Sequence, residues 1–239
     1  MAKRQRFSTH FTTILVMIGV SVGLGNVWRF PYMMGKYGGS AFLFIYLLFT
    51  LLFAIPAVMA EWSLGRQTRK GTIGAFSDAL GRGLGKPIGL LLFITVLVAN
   101  SYYIVVIANV VFSGFYSAVY GFSAENLNNY QTLLNNGWLQ FAIAITTLLA
   151  ALYVIYRGLN KGIEAVSKIF VPFFLLAMIY LVISAFSLDG ATAKFAAFLR
   201  PDFAAMKAEH IFAALGQTFF SLGLGGTFLV IYGSYLQDN

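Results

Sequence analysis

The sequence predicts an all-α, polytopic membrane protein, on three observations. The chain has 239 residues, 59% of them hydrophobic and only 10% charged, where a soluble domain carries about 25% charged residues. Its apolar runs reach about 20 residues or more, the length a helix needs to cross the hydrocarbon core, whereas barrel strands would alternate in segments of about ten. The basic residues behind its net charge of +8 sit in the short connections between those runs. That is where orientation signals lie, so they are assigned to topology rather than to a nucleic-acid partner. The absence of cysteine excludes disulfides, thiol chemistry and cysteine-based metal sites.

Six spans are expected within one transmembrane domain covering residues 1–239: 11–34, 41–64, 87–119, 138–156, 162–186 and 210–236. The first follows Met1-Ala2-Lys3-Arg4-Gln5-Arg6 and is too long and too glycine-broken for a cleaved signal peptide. With the N-terminus in the cytoplasm, the inner segments hold Lys3, Arg4, Arg6, Arg66, Arg69, Lys70, Arg82, Lys86, Arg157, Lys161 and Lys168. The outer ones hold only Arg29, Lys36, Lys194, Arg200 and Lys207. The positive-inside rule supports that orientation, and with it a multi-pass cell (inner or plasma) membrane protein. The connection from Gly121 to Gly137 lacks Lys and Arg, as an outer loop should, and the one from Leu188 to Glu209 is long enough for a short surface helix.

Within the first span, Gly19-Val20-Ser21-Val22-Gly23-Leu24-Gly25-Asn26 is poor helix material, since glycine gives up about 1 kcal/mol relative to alanine at a helical position. A break at membrane depth frees carbonyls that suit a cation and amides that suit an anion. The same glycines would equally serve a close helix crossing. The sixth span repeats the anomaly with Ser221-Leu222-Gly223-Leu224-Gly225-Gly226, in a helix running the opposite way. Two broken helices at matching places in two halves point to a transporter site between inverted repeats. Glu61 lies in the second span. A buried carboxylate must find donors, and accepting hydrogen bonds from the orphan amides of the unwound segment fits it better than a proton relay.

Four motifs resemble the neurotransmitter:sodium symporter family: Val22-Gly23-Leu24-Gly25-Asn26-Val27-Trp28-Arg29-Phe30-Pro31, Gly38-Gly39-Ser40-Ala41-Phe42, Glu61-Trp62-Ser63-Leu64-Gly65-Arg66 and Gly216-Gln217-Thr218-Phe219-Phe220-Ser221-Leu222. The resemblance runs over the whole chain. It implies the LeuT fold, two five-helix inverted repeats worked by alternating access, of which this chain supplies the first repeat and the first helix of the second. On that resemblance the sequence looks like the N-terminal half of a sodium-coupled symporter importing a free amino acid, with the C-terminal half of the same protein missing.

Carried over position by position, the resemblance implies one sodium on the carbonyls of Gly19 and Val22. A second would sit on the Ser21 carbonyl, the Asn26 amide oxygen and Ser221. Both sites also take ligands from later helices, so neither is complete here. The substrate carboxylate would meet the amides of Leu24 and Gly25, the Tyr103 hydroxyl and the second sodium. Its ammonium would face the carbonyls of Ser21, Phe220 and Ser221. Read from the residues alone, Tyr103 would be ordinary packing beside Tyr102. Monoamine carriers of the family resemble one another in an aspartate where this chain has Gly23, so a substrate bringing its own carboxylate is implied. Ala99, Gly223 and Gly226 would line the side-chain pocket, with bulkier residues common elsewhere at the first and last, which suggests a large, aromatic substrate. Glycine needed for unwinding alone is the competing explanation.

For gating, the resemblance makes Phe220 and Tyr103 a thin lid below Arg29 and Gln217. It places Arg4 and Phe7 in an inner N-terminal latch near Ser234 and Tyr235. Gly162 and Pro172 match a pattern that unwinds the fifth span, against the plainer reading of a static proline kink. Tyr46, Gln217 and Ser221 match chloride ligands, which leaves chloride dependence open. An intramembrane enzyme is the weaker alternative, because the only histidines, His10 and His210, fall near opposite ends of spans. A truncated, non-transporting regulator or sensor that keeps the fold is the other.

Overall fold

The computed structural model describes residues 5–121, 123–225 and 227–236. Eleven α-helices and three π-helical turns account for most of them, and no strand occurs among the described residues. The first expected span is α1 (His10–Ser21), a π turn (Gly25–Arg29) and α2 (Phe30–Lys36), bent by 51° at the break. Thr9 starts α1 in a capping box with Thr12, satisfying amides that a helix N-terminus leaves orphaned. The second span is α3 (Ser40–Phe49), a π turn (Thr50–Ala54) and α4 (Ile55–Thr68), helical throughout.

The third span belongs to α5 (Thr72–Tyr120), which breaks at Gly81, whose φ of 76° lies outside the helical region. Then come α6 (Ala124–Leu134), α7 (Gly137–Tyr156), a π turn (Leu159–Ile163), α8 (Glu164–Phe186), α9 (Ala191–Phe198), α10 (Ala208–Ser221) and α11 (Phe228–Gly233). The surface helix expected before residue 209 is α9. The connection expected on the outside also carries a helix, α6, which its polar composition gave little reason to expect.

Four helical segments are long and apolar enough to cross a membrane, and the bent α1/α2 pair makes a fifth. The sixth expected span is not one helix: α10 has 14 residues and α11 has 6, with an irregular stretch between them. Large apolar side chains such as Leu91, Phe115, Phe170 and Leu176 lie exposed along α5 and α8, as hydrocarbon-facing helices require.

The buried core sits in two clusters. One gathers Phe7, Val16 and Leu159 with Tyr232 and Tyr235, and the other gathers Met33, Phe42 and Ala214 with Phe30 and Tyr46. Residue 7 thus meets residue 235, while residue 33 meets residue 214, so the two broken spans run antiparallel. Below, these are called the tail end and the far end. Between them α4 and α11 cross at backbone contact. A Cβ on Gly65 would lie 2.8 Å from the Val230 carbonyl carbon, and one on Gly233 would lie 2.6 Å from the Trp62 carbonyl oxygen. Small residues at such a crossing let dispersion contacts run between backbones in a medium that offers no hydrophobic drive.

Candidate functional site

The two breaks face each other. In the first, the last helical bond runs from the Val22 amide to the Ile18 carbonyl at 2.8 Å, and the next ones run from Asn26 and Val27 to the Gly23 carbonyl. The carbonyls of Gly19, Val20, Ser21 and Val22 are therefore the four that a helix end leaves without intrahelical donors. Opposite them, Leu24 and Gly25 begin the next helical stretch with their amides unclaimed by the pattern. A broken helix thus offers a carbonyl cluster and an amide pair within one turn of each other. The Asn26 side chain folds back, its Nδ2 donating to the Ser21 carbonyl. A half-turn about its last side-chain bond would present the oxygen instead.

In the second break, Gly223 takes φ +64°, with its amide on the Phe220 carbonyl at 3.2 Å. A Cβ there would have room, with Phe228 3.8 Å away, so the requirement for glycine is conformational. That favours unwinding over pocket size as the reason for this glycine. The Phe220 carbonyl, expected to face an ammonium group, already accepts from the amides of both Leu222 and Gly223.

Glu61 tethers this break from α4: its Oε1 accepts from the Gly225 amide at 3.1 Å. The amide it serves belongs to the second broken span.

A cavity of about 930 Å³ opens between α1, the first π turn, α5 and the second break. Ser21, Leu24, Gly25, Asn26 and Arg29 line it from one side, Ala99 and Tyr103 from α5, and Phe220, Ser221 and Gly223 from the sixth span. The Tyr103 hydroxyl points toward Gly23, 3.5 Å from where a Cβ would sit.

At the far end of the cavity, Arg29 donates to Gln217 Oε1 at 2.9 Å and holds its guanidinium 4.8 Å from the centre of the Phe220 ring. Gln217 is fully buried, and its Nε2 reaches the Ser221 hydroxyl at 3.0 Å and the Gly25 carbonyl at 3.4 Å. One glutamine therefore ties both broken spans to the arginine. The expected grouping of Arg29 and Gln217 above Phe220 is present. Gly25 has to be glycine because Phe220 packs against its α-carbon: an added Cβ would lie 2.7 Å from Cδ1 and nearer still to Cε1.

The remaining expected residues fall as follows. Gly19 packs against α8, with Val171 Cγ2 3.1 Å and Ser167 Oγ 4.0 Å from its Cβ position. Tyr46 reaches Thr218 through its backbone, whose carbonyl accepts from the Thr218 hydroxyl at 3.4 Å. The Gly162–Pro172 stretch is wound: α8 runs unbroken through Pro172, and Gly162 lies in the π turn against the Val154 carbonyl. Arg4 and Gly226 lie outside the described residues.

At the tail end, Phe7 is buried, stacks on Tyr232, meets Tyr235 edge-on, and donates its amide to the Tyr235 carbonyl at 3.1 Å. Arg69 adds hydrogen bonds to the carbonyls of Ser234 and Leu236.

The rest of this latch escaped the sequence reading. Glu164, 1% exposed, accepts from the Ser8 amide at 2.7 Å and from the Ser8 hydroxyl. Asn160 bridges the Arg6 carbonyl and Glu164 at 3.0 and 3.2 Å, and Gln5 accepts from the Leu159 amide at 2.6 Å. The signal was available, since a carboxylate at the edge of an apolar span demands partners.

The oxygen set suits a hard cation. Helix-end carbonyls, an amide and a hydroxyl are the donors chosen by ions such as sodium, and no His/Cys/Asp/Glu cluster able to hold a metal occurs among the described residues.

The family model for the sodium:neurotransmitter symporters matches residues 4–122 and 114–239. The chain belongs to the sodium:neurotransmitter symporter family. It is 33% identical to an uncharacterized sodium-dependent transporter of Methanocaldococcus jannaschii over 98% of its own length and 50% of that protein's. To the sodium-dependent neutral amino acid transporter B(0)AT2 of Bos taurus it is 31% identical over 99% of its length and 37% of the relative's. The crystal structure of MhsT in complex with L-phenylalanine superposes with a TM-score of 0.87 at 32% identity, covering 99% of this chain and 55% of that one. The LeuT-type helical fold and the multi-pass membrane character follow, and the family is one of transporters rather than enzymes. The chain spans about half the length of the curated relatives it matches.

Proposed function

We propose that this chain forms part of a sodium-coupled symporter that imports a free amino acid by alternating access, with its N-terminus in the cytoplasm. The observation carrying this reading is that two broken, antiparallel helices bring carbonyls, amides and the Tyr103 hydroxyl to one cavity. A zwitterion needs that combination: donors for its carboxylate at Leu24, Gly25 and Tyr103, and acceptors for its ammonium at Ser21, Phe220 and Ser221. Sodium would take the carbonyls of Gly19 and Val22 in one site, and the Ser21 carbonyl, the Asn26 oxygen and Ser221 in the other, completed by ligands from beyond the chain. Sharing of the substrate carboxylate by the second sodium couples the two affinities, each ligand improving the other's site.

The cavity volume, about 930 Å³, lies toward the upper end of small-molecule sites, and Ala99 leaves room beside Tyr103. A large aromatic substrate such as tryptophan, phenylalanine or tyrosine is therefore the preferred occupant, carboxylate-bearing because Gly23 supplies none. Arg29, Gln217 and Phe220 form the outer gate, and the Phe7 and Glu164 contacts the inner one. Tyr46, Gln217 and Ser221 are the residues that would serve any chloride.

The test is uptake of labelled amino acids into proteoliposomes under an inward sodium gradient. Accumulation should vanish when choline replaces sodium and fall at least tenfold in Asn26→Ala and Ser221→Ala. Accumulation indifferent to sodium refutes the mechanism, whereas competition in which leucine or alanine outdoes tryptophan refutes only the aromatic substrate. Replacing chloride by gluconate decides the anion requirement.

A further inference from the structure

We infer that Asn100 is a specificity-determining residue that hydrogen-bonds a polar group on the substrate's side chain. The inference rests on the proposed amino-acid site and narrows its substrate class. Along α5, besides Tyr102, the cavity is lined by Val96, Ala99, Asn100, Tyr103 and Val106, positions that share one helical face. Four of these are apolar or assigned to the carboxylate. Asn100 is neither.

Three other polar side chains here have partners within the chain, while Thr227, on the sixth span, has a buried hydroxyl without one among the described residues. Asn26 donates to the Ser21 carbonyl, Arg29 to Gln217, and Ser221 accepts from Gln217. No hydrogen bond joins the Asn100 side chain to another of the described residues, and that side chain is exposed. An amide carries two donors and two acceptor lone pairs. At membrane depth such a group needs cavity water or a bound molecule as its partner, on a wall of α5 otherwise made of Val, Ala and aromatic rings. A few placed polar groups on a mostly apolar wall are what fix orientation and selectivity in small-molecule sites.

The backbone groups of an amino acid are already served by the two breaks, which leaves the side chain as the part Asn100 can read. Its ability both to donate and to accept suits a hydroxyl, an indole N–H or an amide. Among the large aromatic substrates it favours tyrosine or tryptophan over phenylalanine. Because the Asn100 amide is solvated from the cavity before binding, the discrimination is that of one ordinary hydrogen bond, about tenfold, and not the larger factor of a fully desolvated pocket.

The test measures equilibrium binding to the purified protein in sodium for pairs differing by one polar group: tyrosine against phenylalanine, threonine against valine, and glutamine against methionine. Wild type should favour the polar member of at least one pair about tenfold. Asn100→Leu should erase that preference while the sodium dependence of binding persists, and Asn100→Gln should keep part of it. Persistent sodium dependence in Asn100→Leu also shows that the variant is folded. A wild-type preference for the apolar member of every pair, or a polar preference unmoved by Asn100→Leu, overturns this assignment and leaves the transport function standing. Wild-type protein that binds no amino acid in sodium overturns both.

Discussion

Replacing Gly25 with alanine should weaken amino-acid binding and cost the fold stability on the same scale. The added Cβ would lie 2.7 Å from Phe220 Cδ1 and closer to Cε1, whereas carbon atoms rest at about 3.5–4.0 Å. One partner must withdraw by roughly an ångström. The Gly25 backbone is pinned, since its carbonyl accepts from the Phe30 amide and from Gln217 Nε2. The Phe220 ring is 49% exposed and is free to swing into the cavity. Swinging forfeits the Arg29 contact, about 0.5–1 kcal/mol, and forces an off-rotamer χ costing about 0.5–1.5 kcal/mol. Together these amount to about 1–2.5 kcal/mol, or an affinity loss of roughly five- to seventy-fold. Radioligand binding in saturating sodium measures it, alongside thermal unfolding of the same preparation. Gly25→Ala/Phe220→Leu should recover part of the loss, because the smaller side chain relieves the overlap. Wild-type affinity in Gly25→Ala refutes the reasoning, as does a double variant no better than the single one.

Three further outcomes follow from contacts elsewhere. Glu61→Gln keeps an oxygen for the Gly225 amide and should retain sodium-dependent binding, whereas Glu61→Ala orphans that amide at a cost of about 1–3 kcal/mol; equal loss in both variants would favour a proton relay. Glu164→Gln replaces charge-assisted bonds from Ser8 with neutral ones, so a cysteine introduced at Ser167 in this cysteine-free chain should react with a membrane-impermeant thiol reagent from the tail side about fivefold faster; an unchanged rate would show that the latch does not gate access. Gly223→Ala forces a Cβ into a left-handed conformation and should destabilise by about 1–2 kcal/mol in thermal unfolding; a variant as stable as wild type would show that the break does not need φ above zero.

Much of this site could be read from the chain because the features that build it are violations of ordinary helix chemistry. Gly19 to Gly25 and Ser221 to Gly226 stand out within apolar runs, and their opposite directions follow from counting spans. Contacts that depend on a partner were harder to read. Gly65 and Gly233 look like any other membrane glycines until α4 and α11 are seen to cross. Asn26 presents a donor to Ser21 where only its oxygen was considered. Ser8 and Glu164 are 156 positions apart, and nothing local pairs them. α6 was hidden for another reason: it is short and polar on average, its apolar residues being only Leu127, Tyr130, Leu133 and Leu134 at helical spacing besides Ala124, and it is held partly by tyrosines, Tyr130 reaching Ser113 at 2.8 Å and stacking on Phe112.

Each half of the second broken span is bound to a different half of the second span. α10 lies along α3, sealed by Ala214 against Phe42 and by the Thr218 hydroxyl on the Tyr46 carbonyl. α11 is locked to α4 through Gly65 and Gly233. The joints between these pairs are the Thr50–Ala54 π turn on one side and the irregular stretch after Ser221 on the other. The arrangement is that of two short levers, each two helices thick, hinged at the depth of the cavity. A tilt of the α4/α11 lever carries Tyr232, Tyr235 and the Phe7 contact with it, while Arg29, Gln217 and Phe220 stay with the α3/α10 lever. The contacts at the two ends of the cavity therefore belong to different helix pairs.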